Sequence, residues 1–380
     1  METLHIQNFG PIRNVEINFG DLTFLIGPQA SGKSLALEVL KLIKDRESIL
    51  STLENHSFAI DNDAKRILNA YFGEGMEKLW KPTSKLSLDG LSLTKTELKK
   101  TPQPQESSVF FVPAQRVICM DDGYPRNFNS FENDAPYVLR EFSETLRTYM
   151  QSRSSDKSNI FPPVEKGKSI QASSFDASIF HNGEIHVSDT SSKKKFMLEV
   201  DGLEVPFMAW SAGQKEFMPL LLSFYCLTAS PSKLRRREKY KIAVVEEPEM
   251  GLHPKAIESI LLQLLQLIKE GYQVIVSTHS TLFLDFAWAF NTIKSRKGKN
   301  LDDALAKLFE STNNDHVNKL IKDIASKNVK TIYFDRNSKG KIWAKDISSL
   351  DVMSDSVDLA EWGGIMDFST RANDVVSRFS

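Results

Sequence analysis

A chain of 380 residues with 41% hydrophobic content can close one large α/β domain or two modest ones, which excludes a disordered polypeptide. Its net charge of -1 gives no global attraction to nucleic acid or anionic lipid, so any such binding has to come from a local patch. Cys119 and Cys226 stand far apart without CxxC or Cys/His spacing, which argues against structural zinc or a disulfide framework and fits a reducing compartment. The start lacks a basic n-region and an apolar h-region. The longest apolar stretch, near 217–229, holds Pro219 and Ser223 and is too short to span a bilayer, so a cytoplasmic chain with no membrane partner is expected.

In chain order, residues 2–9 and 15–19 read as short strands before a third, 23–26, that runs into a glycine-bearing loop and a helix from about Lys33. Within 51–108, residues 64–80 read as helical and those that follow as loop-like. The apolar run 109–112, like 242–245 and 274–276 further on, is β-branched or aromatic and does not alternate, as expected of strands covered on both faces of a parallel sheet. A helix is expected at 136–150, followed by the polar tract 151–159. Alternation over 178–209 suggests further strands. Pro254, the apolar stripe Ile257, Leu261, Leu264 and Ile268, and a stop at Gly271 describe a crossover helix. A polar helix near 300–326, a hairpin over 330–344 turning through 337–340, and a final helix from about Asp358 complete the reading, with no repeat of fixed period.

The residues Gly27, Pro28, Gln29, Ala30, Ser31, Gly32, Lys33 and Ser34 fit the P-loop pattern GxxxxGK[ST], between a predicted strand and a predicted helix. Glycines there let backbone N–H groups converge on phosphate oxygens, the helix start adds its positive end, Lys33 reaches the terminal phosphates, and Ser34 offers a hydroxyl to Mg²⁺. The run 242–249 is an apolar strand ending in Glu246 and Glu247, whose side chains point to opposite sides. Glu246 is expected to orient Mg²⁺ and Glu247, beyond the strand end, to accept the proton of the attacking water. His279 follows the strand 274–276 at the same carboxyl-end edge, where ligands collect in parallel sheets, and is expected to contact the γ-phosphate. Ser211, Gly213 and Gln214 open the apolar helix that follows and offer a second anion-binding turn, which alone is an everyday serine-capped helix. Gln115, with Arg116 beside it, lies just past the strand 109–112, within reach of Mg²⁺ or the water.

Taken together, this ordered set resembles the ABC ATPase family: Walker A at 27–34, Q-loop at Gln115, signature at 211–214, Walker B with its glutamate at 242–247, and switch histidine at His279. The opening run 6–12 and the run 246–254 look most like the stand-alone, non-transporter branch that includes OLD-family and bacterial anti-phage ATPases. The resemblance implies an α/β P-loop ABC ATPase fold with a mixed, partly parallel core sheet, antiparallel N-terminal strands and a helical insert. It implies a single domain over 1–380, with inserted segments at about 51–108 and 120–175, and ATP and Mg²⁺ as cofactors. It also implies a head-to-tail homodimer, or a higher homo-oligomer, in which Ser211 and Gly213 of one subunit touch the γ-phosphate held by Lys33 of the other.

The sequence departs from the family pattern at Glu246, where transport ATPases carry aspartate, at Ala212, where the signature has a second glycine, and at His253, where a D-loop aspartate stands. Residues 330–380 hold no TOPRIM nuclease pattern, and the segment before the signature lacks the heptads of a coiled-coil arm. The basic run 233–241, with Lys233, Arg235, Arg236, Arg237, Lys239 and Lys241, is either a solvated loop or a contact for DNA or an acidic partner. The reading is an ATP-gated switch with a separate effector, a nuclease or toxin, in anti-phage defence. The alternatives are a DNA-maintenance ATPase acting through that basic run, or an ATP-dependent scaffold with little turnover.

Overall fold

A computed structural model describes residues 2–153, 159–163, 172–188, 194–228, 240–296, 301–310 and 315–350, together with 354, 362, 364, 371, 372, 376 and 377. Most of the basic run 233–241, most of the polar tract after residue 153 and most of the expected final helix lie outside these residues. The strands, in chain order, are β1 (Thr3–Phe9), β2 (Ile12–Asn18), β3 (Leu22–Ile26), β4 (Trp80–Leu88), β5 (Leu91–Leu93), β6 (Val109–Val112), β7 (Met120–Asp121), β8 (Tyr124–Pro125), β9 (Glu184–Ser188), β10 (Lys195–Val200), β11 (Leu203–Pro206), β12 (Ile242–Glu246), β13 (Gln273–Ser277), β14 (Val329–Arg336) and β15 (Ile342–Asp346). The chain folds into two compact units, one of Met1–Lys44, Lys78–Glu97 and Ile268–Ser380, the other of Asp45–Glu77 and Leu98–Leu267.

In the first unit the strand order is β5-β4-β1-β2-β15-β14-β3-β13. β1 pairs antiparallel with β2 and β4, whereas β3 lies parallel to both β13 and β14. The difference is legible in burial. Every residue of β3 is buried, while β2 buries Ile12, Val15 and Ile17 and exposes Arg13, Asn14, Glu16 and Asn18, as one covered face requires. Helix Thr281–Ser295 packs through Phe283, whose ring centroid lies 5.7 Å from that of Phe24 on β3. Asn291 on the same helix donates to the carbonyls of Val329 and Ser348 at 3.1 and 2.9 Å, so the helix is fastened at both packing and polar contacts.

Two expectations change here. The segment read as loop over 81–108 contains β4 and β5, and the helix expected over 64–80 ends at Phe72, with a 3-10 turn at Met76–Leu79 leading into β4. β4 carries Lys81, Pro82 and Lys85 on exposed positions, so its sequence looks like loop. Its ladder with β1, Leu4 opposite Leu88 and Ile6 opposite Leu86, makes it strand. The helix expected near 300–326 is two helices, Leu301–Leu308 and Asp315–Ile324.

In the second unit β6 and β12 run parallel, with Ile242 opposite Val109 and Val245 opposite Val112, and every residue of both is buried. Helix Tyr137–Ser152 covers β6 through an edge-on contact of Phe110 with Phe142 at 6.3 Å, and Tyr137 stacks on Tyr71 of helix Ala64–Phe72 at 5.6 Å. β9, β10 and β11 form the separate antiparallel sheet that the alternation over 178–209 suggests. The backbone of helix Lys33–Asn55 leaves helical geometry at Asp45 (φ -115, ψ 19). No helix among the described residues is long and apolar enough to cross a membrane.

Candidate functional site

In the first unit, β3 delivers the chain into the loop 27–32. Gly27 has φ +138, and a Cβ added there would sit 2.2 Å from the carbonyl oxygen of Phe334 on β14, so the close approach requires glycine. Gly32 at φ +84 and Ala30 at φ 56 complete the turn before the helix begins at Lys33. No acidic side chain occupies the helix's first turn, so its positive end is not offset by a carboxylate of that turn. Lys33 is buried, and its Nζ donates to the carbonyls of Gly27 and Pro28 at 2.8 and 3.1 Å, with Ser31 Oγ at 3.5 Å. Ser34 is exposed, as are Pro28, Gln29 and Ala30.

His279 reaches this loop through register. β13 pairs with β3 so that Ser277 stands opposite Leu25. Two residues past Ser277, His279 stands beside the lysine of the loop that follows β3. Its Nε2 lies 3.3 Å from Lys33 Nζ, an arrangement in which the ammonium donates to the ring nitrogen. The turn holding it is fixed on both sides: Thr278 N donates to Leu25 O at 3.1 Å, and Ser280 caps helix Thr281–Ser295 by accepting from Leu282 N at 3.3 Å.

In the second unit, β12 ends at Glu246, which is buried, and its Oε2 accepts from Ala114 N at 3.2 Å, just past the end of β6. The next residue, half-buried Glu247, has φ 42, a left-handed conformation uncommon for a residue with a side chain. Gln115 is exposed and precedes the 3-10 turn Arg116–Cys119. Arg116, fully buried, donates to the carbonyls of Glu246 and Glu247.

Helix Ala212–Thr228 begins five residues earlier than its apolar stretch, because Ser211 and Gln214 form a reciprocal capping box. Gln214 N donates to Ser211 Oγ at 3.3 Å, and Ser211 N donates to Gln214 Oε1 at 3.0 Å. Gly213 packs so close to the loop after Glu247 that a Cβ there would sit 2.7 Å from Gly251 O. His253 caps the crossover helix Pro254–Lys269: its Nδ1 accepts from Lys255 N at 3.3 Å and its carbonyl from Ala256 N at 2.8 Å.

Residues 1–111 match the family described as "AAA ATPase domain", and residues 121–285 the family described as "AAA domain, putative AbiEii toxin, Type IV TA system". The Old nuclease of Escherichia phage P2 is 28% identical over 122 residues. Over these segments the chain resembles AAA ATPase domains and, along the aligned stretch, an OLD-family protein. The aligned segment is 32% of this chain and 20% of the phage relative, so the chain spans only about a fifth of that protein's length. Among solved structures, the SMC head domain from Thermotoga maritima is similar at 13% identity over 90% of this chain and 97% of that one, with TM-score 0.36. An SMC head bound to the C-winged helix domain of ScpA is similar at 12% over 90% and 96%, with TM-score 0.39.

The residues fit the groups that a P-loop ATPase uses. In the first unit the turn, the helix start and Lys33 suit a polyphosphate, and the exposed Ser34 hydroxyl suits a cation beside it. In the second, Glu246 presents a carboxylate at the strand end. Within each unit the motif residues are gathered: Lys33 with His279 in one, Glu246, Glu247, Gly213 and the residues around Gln115 in the other.

Two of the buried charges to which the sequence reading gave no role of their own bear on β6 and β12. One is Arg116, a charge set in front of the apolar run Val117-Ile118-Cys119. The other is Asp45, also fully buried, whose carboxylate accepts from Ser107 Oγ, Ser108 N and Ser108 Oγ at 2.7 Å each and from Val109 N at 3.0 Å. It thereby caps the start of β6, the strand that leads to Gln115. Asp45→Ala strips that acceptor from several buried donors and is expected to cost on the order of 3 kcal/mol. A urea midpoint unmoved by the substitution would show that β6 does not depend on this carboxylate.

Proposed function

We propose that the chain binds and hydrolyses ATP as a homodimeric switch in anti-phage defence, and that a separate effector, a nuclease or toxin, reads the switch. The observation that supports it most is the placement of His279 3.3 Å from the P-loop lysine by strand register. Lys33 and the loop N–H groups bind the terminal phosphates, and His279 senses the γ-phosphate at the same lysine. Glu247 accepts the proton of the attacking water. Ser34, Glu246 and Gln115 would hold Mg²⁺, which when bound neutralises charge on the β- and γ-phosphates. Ser211, Gly213 and Gln214 of one subunit complete the site of the other. The defence assignment draws on the printed character of the relatives, a phage nuclease and a toxin-type ATPase family.

The dimer is tested by mixing two inactive variants. Lys33→Ala removes one half-site, and Ser211→Arg blocks the other from an exposed position. Ser211 suits the second lesion better than Gly213, whose replacement would collide with Gly251. Random exchange of an equimolar mixture puts half the chains into mixed dimers with one intact site, so about a quarter of wild-type turnover is expected. A mixture that stays inactive while light scattering shows dimers argues against a shared site. Turnover measured with and without DNA separates the switch from a DNA-maintenance ATPase, whose rate would rise with DNA and fall steeply with salt.

A further inference from the structure

Burying a guanidinium is unfavourable unless its donors are answered, and at Arg116 the answering groups come from two segments far apart in sequence. Nε donates to Glu216 O at 3.0 Å, in the second turn of helix Ala212–Thr228. Nη1 donates to Glu246 O at 3.1 Å and to Glu247 O at 3.3 Å, and Nη2 to Glu247 O at 3.2 Å. The Glu216 carboxylate stands 3.7 Å from Nη2. Burial draws the guanidinium below its ordinary value, while the carboxylates of Glu216, Glu249, Glu247 and Glu246 push it back up.

Two of these contacts fall on Glu247, the one residue of the run 242–249 with a positive φ. Glu247 has φ 42, and such conformations persist where the surroundings over-determine them. Arg116 contacts that residue's carbonyl with both terminal nitrogens. A planar, rigid fork moves as a whole, so a displacement at the Glu216 carbonyl is passed to the Glu247 carbonyl, which a lysine's single point charge would not do.

We infer that Arg116 is a positioning residue for ATP hydrolysis: it holds the turn that aims Glu247 and ties that turn to the helix that begins at the signature residues Ser211 and Gly213. The inference rests on the reading of Glu247 as the base. A signature helix displaced by a partner's nucleotide then resets the base of its own subunit, so that each site reports the occupancy of the other.

The test compares Arg116→Lys, Arg116→Met and Glu216→Gln with wild type and Glu247→Gln, using steady-state ATP turnover and titration with a fluorescent ATP analogue on the folded fraction from gel filtration. Arg116→Lys keeps the charge and loses the fork. It is expected to bind nucleotide within about threefold of wild type while kcat falls roughly 30-fold or more, the size of loss that misplaced catalytic groups bring. Arg116→Met is expected to fall further, so that restoring charge rescues only part of the rate. Glu216→Gln leaves the buried arginine and its carbonyl contacts in place and is expected to lower kcat about three- to tenfold at unchanged KM.

A merely structural arginine would lower the yield of folded protein and leave its kcat intact, and that result overturns the inference. So does a loss of nucleotide affinity equal to the loss of kcat. If Arg116→Lys does not fold, Glu216→Gln decides: a drop supports the link, and a wild-type rate overturns it. A wild type without turnover, or a Glu247→Gln variant at the wild-type rate, sinks the reading of the site instead.

Discussion

Glu247→Gln is expected to keep the fold and the affinity for ATP while turnover falls about 10²–10⁴-fold, the usual worth of a positioned general base. The amide keeps the shape of the carboxylate and cannot take the proton. The backbone at this position is held through the Glu247 carbonyl, which the substitution leaves untouched. With the chemical step blocked and binding intact, the ATP-bound dimer should accumulate, seen as a shift in light-scattering mass on adding ATP and Mg²⁺. Glu246→Gln should differ in kind by raising the Mg²⁺ concentration needed for turnover. Hydrolysis by Glu247→Gln at the wild-type rate would mean that another group accepts the proton.

Lys33→Ala should abolish turnover and weaken ATP binding. The ammonium is held within its own loop by Gly27 and Pro28 carbonyls, next to His279, where it meets the terminal phosphates. Hydrogen bonds to charged groups are worth about 1.5–3 kcal/mol each, so losing one such contact corresponds to roughly 10- to 100-fold in affinity. Calorimetric titration measures it directly. Unchanged affinity would remove the loop 27–34 from the nucleotide site. The fold should survive, because Pro28 lies at an exposed rim where water replaces the lost donor.

Much of the architecture was legible because it rests on local composition. Strands buried on both faces read as near-continuous apolar runs, and β3, β6, β12 and β13 show it, interrupted only by Thr23, Glu246, Gln273 and Ser277. The P-loop was legible for a similar reason, since its glycines meet a backbone requirement visible at Gly27. His279 was placed at the carboxyl end of its strand by pattern alone, and parallel register then brings it to Lys33 across 246 residues. The signature residues were read as an anion-binding turn. Their capping box was also readable, as a serine followed three residues later by glutamine.

Other features belong to the tertiary structure alone. β4 looks like loop because an edge-side strand with one covered face tolerates Lys81, Pro82 and Lys85, and only β1, far back in the chain, makes it strand. Asp45 sits in a helix whose periodicity gives no reason to bury a carboxylate, and the groups that justify it lie 62–64 residues away. Arg116 answers to carbonyls 100 to 131 residues distant. The sequence therefore determined which strands are covered on both faces and where the glycine-bearing loop 27–32 lies, because burial and backbone conformation select residue types locally. The fold alone decided which buried charges fasten the turn at Glu247 and the start of β6, because a charge is tolerated inside by partners that its neighbours in sequence do not supply.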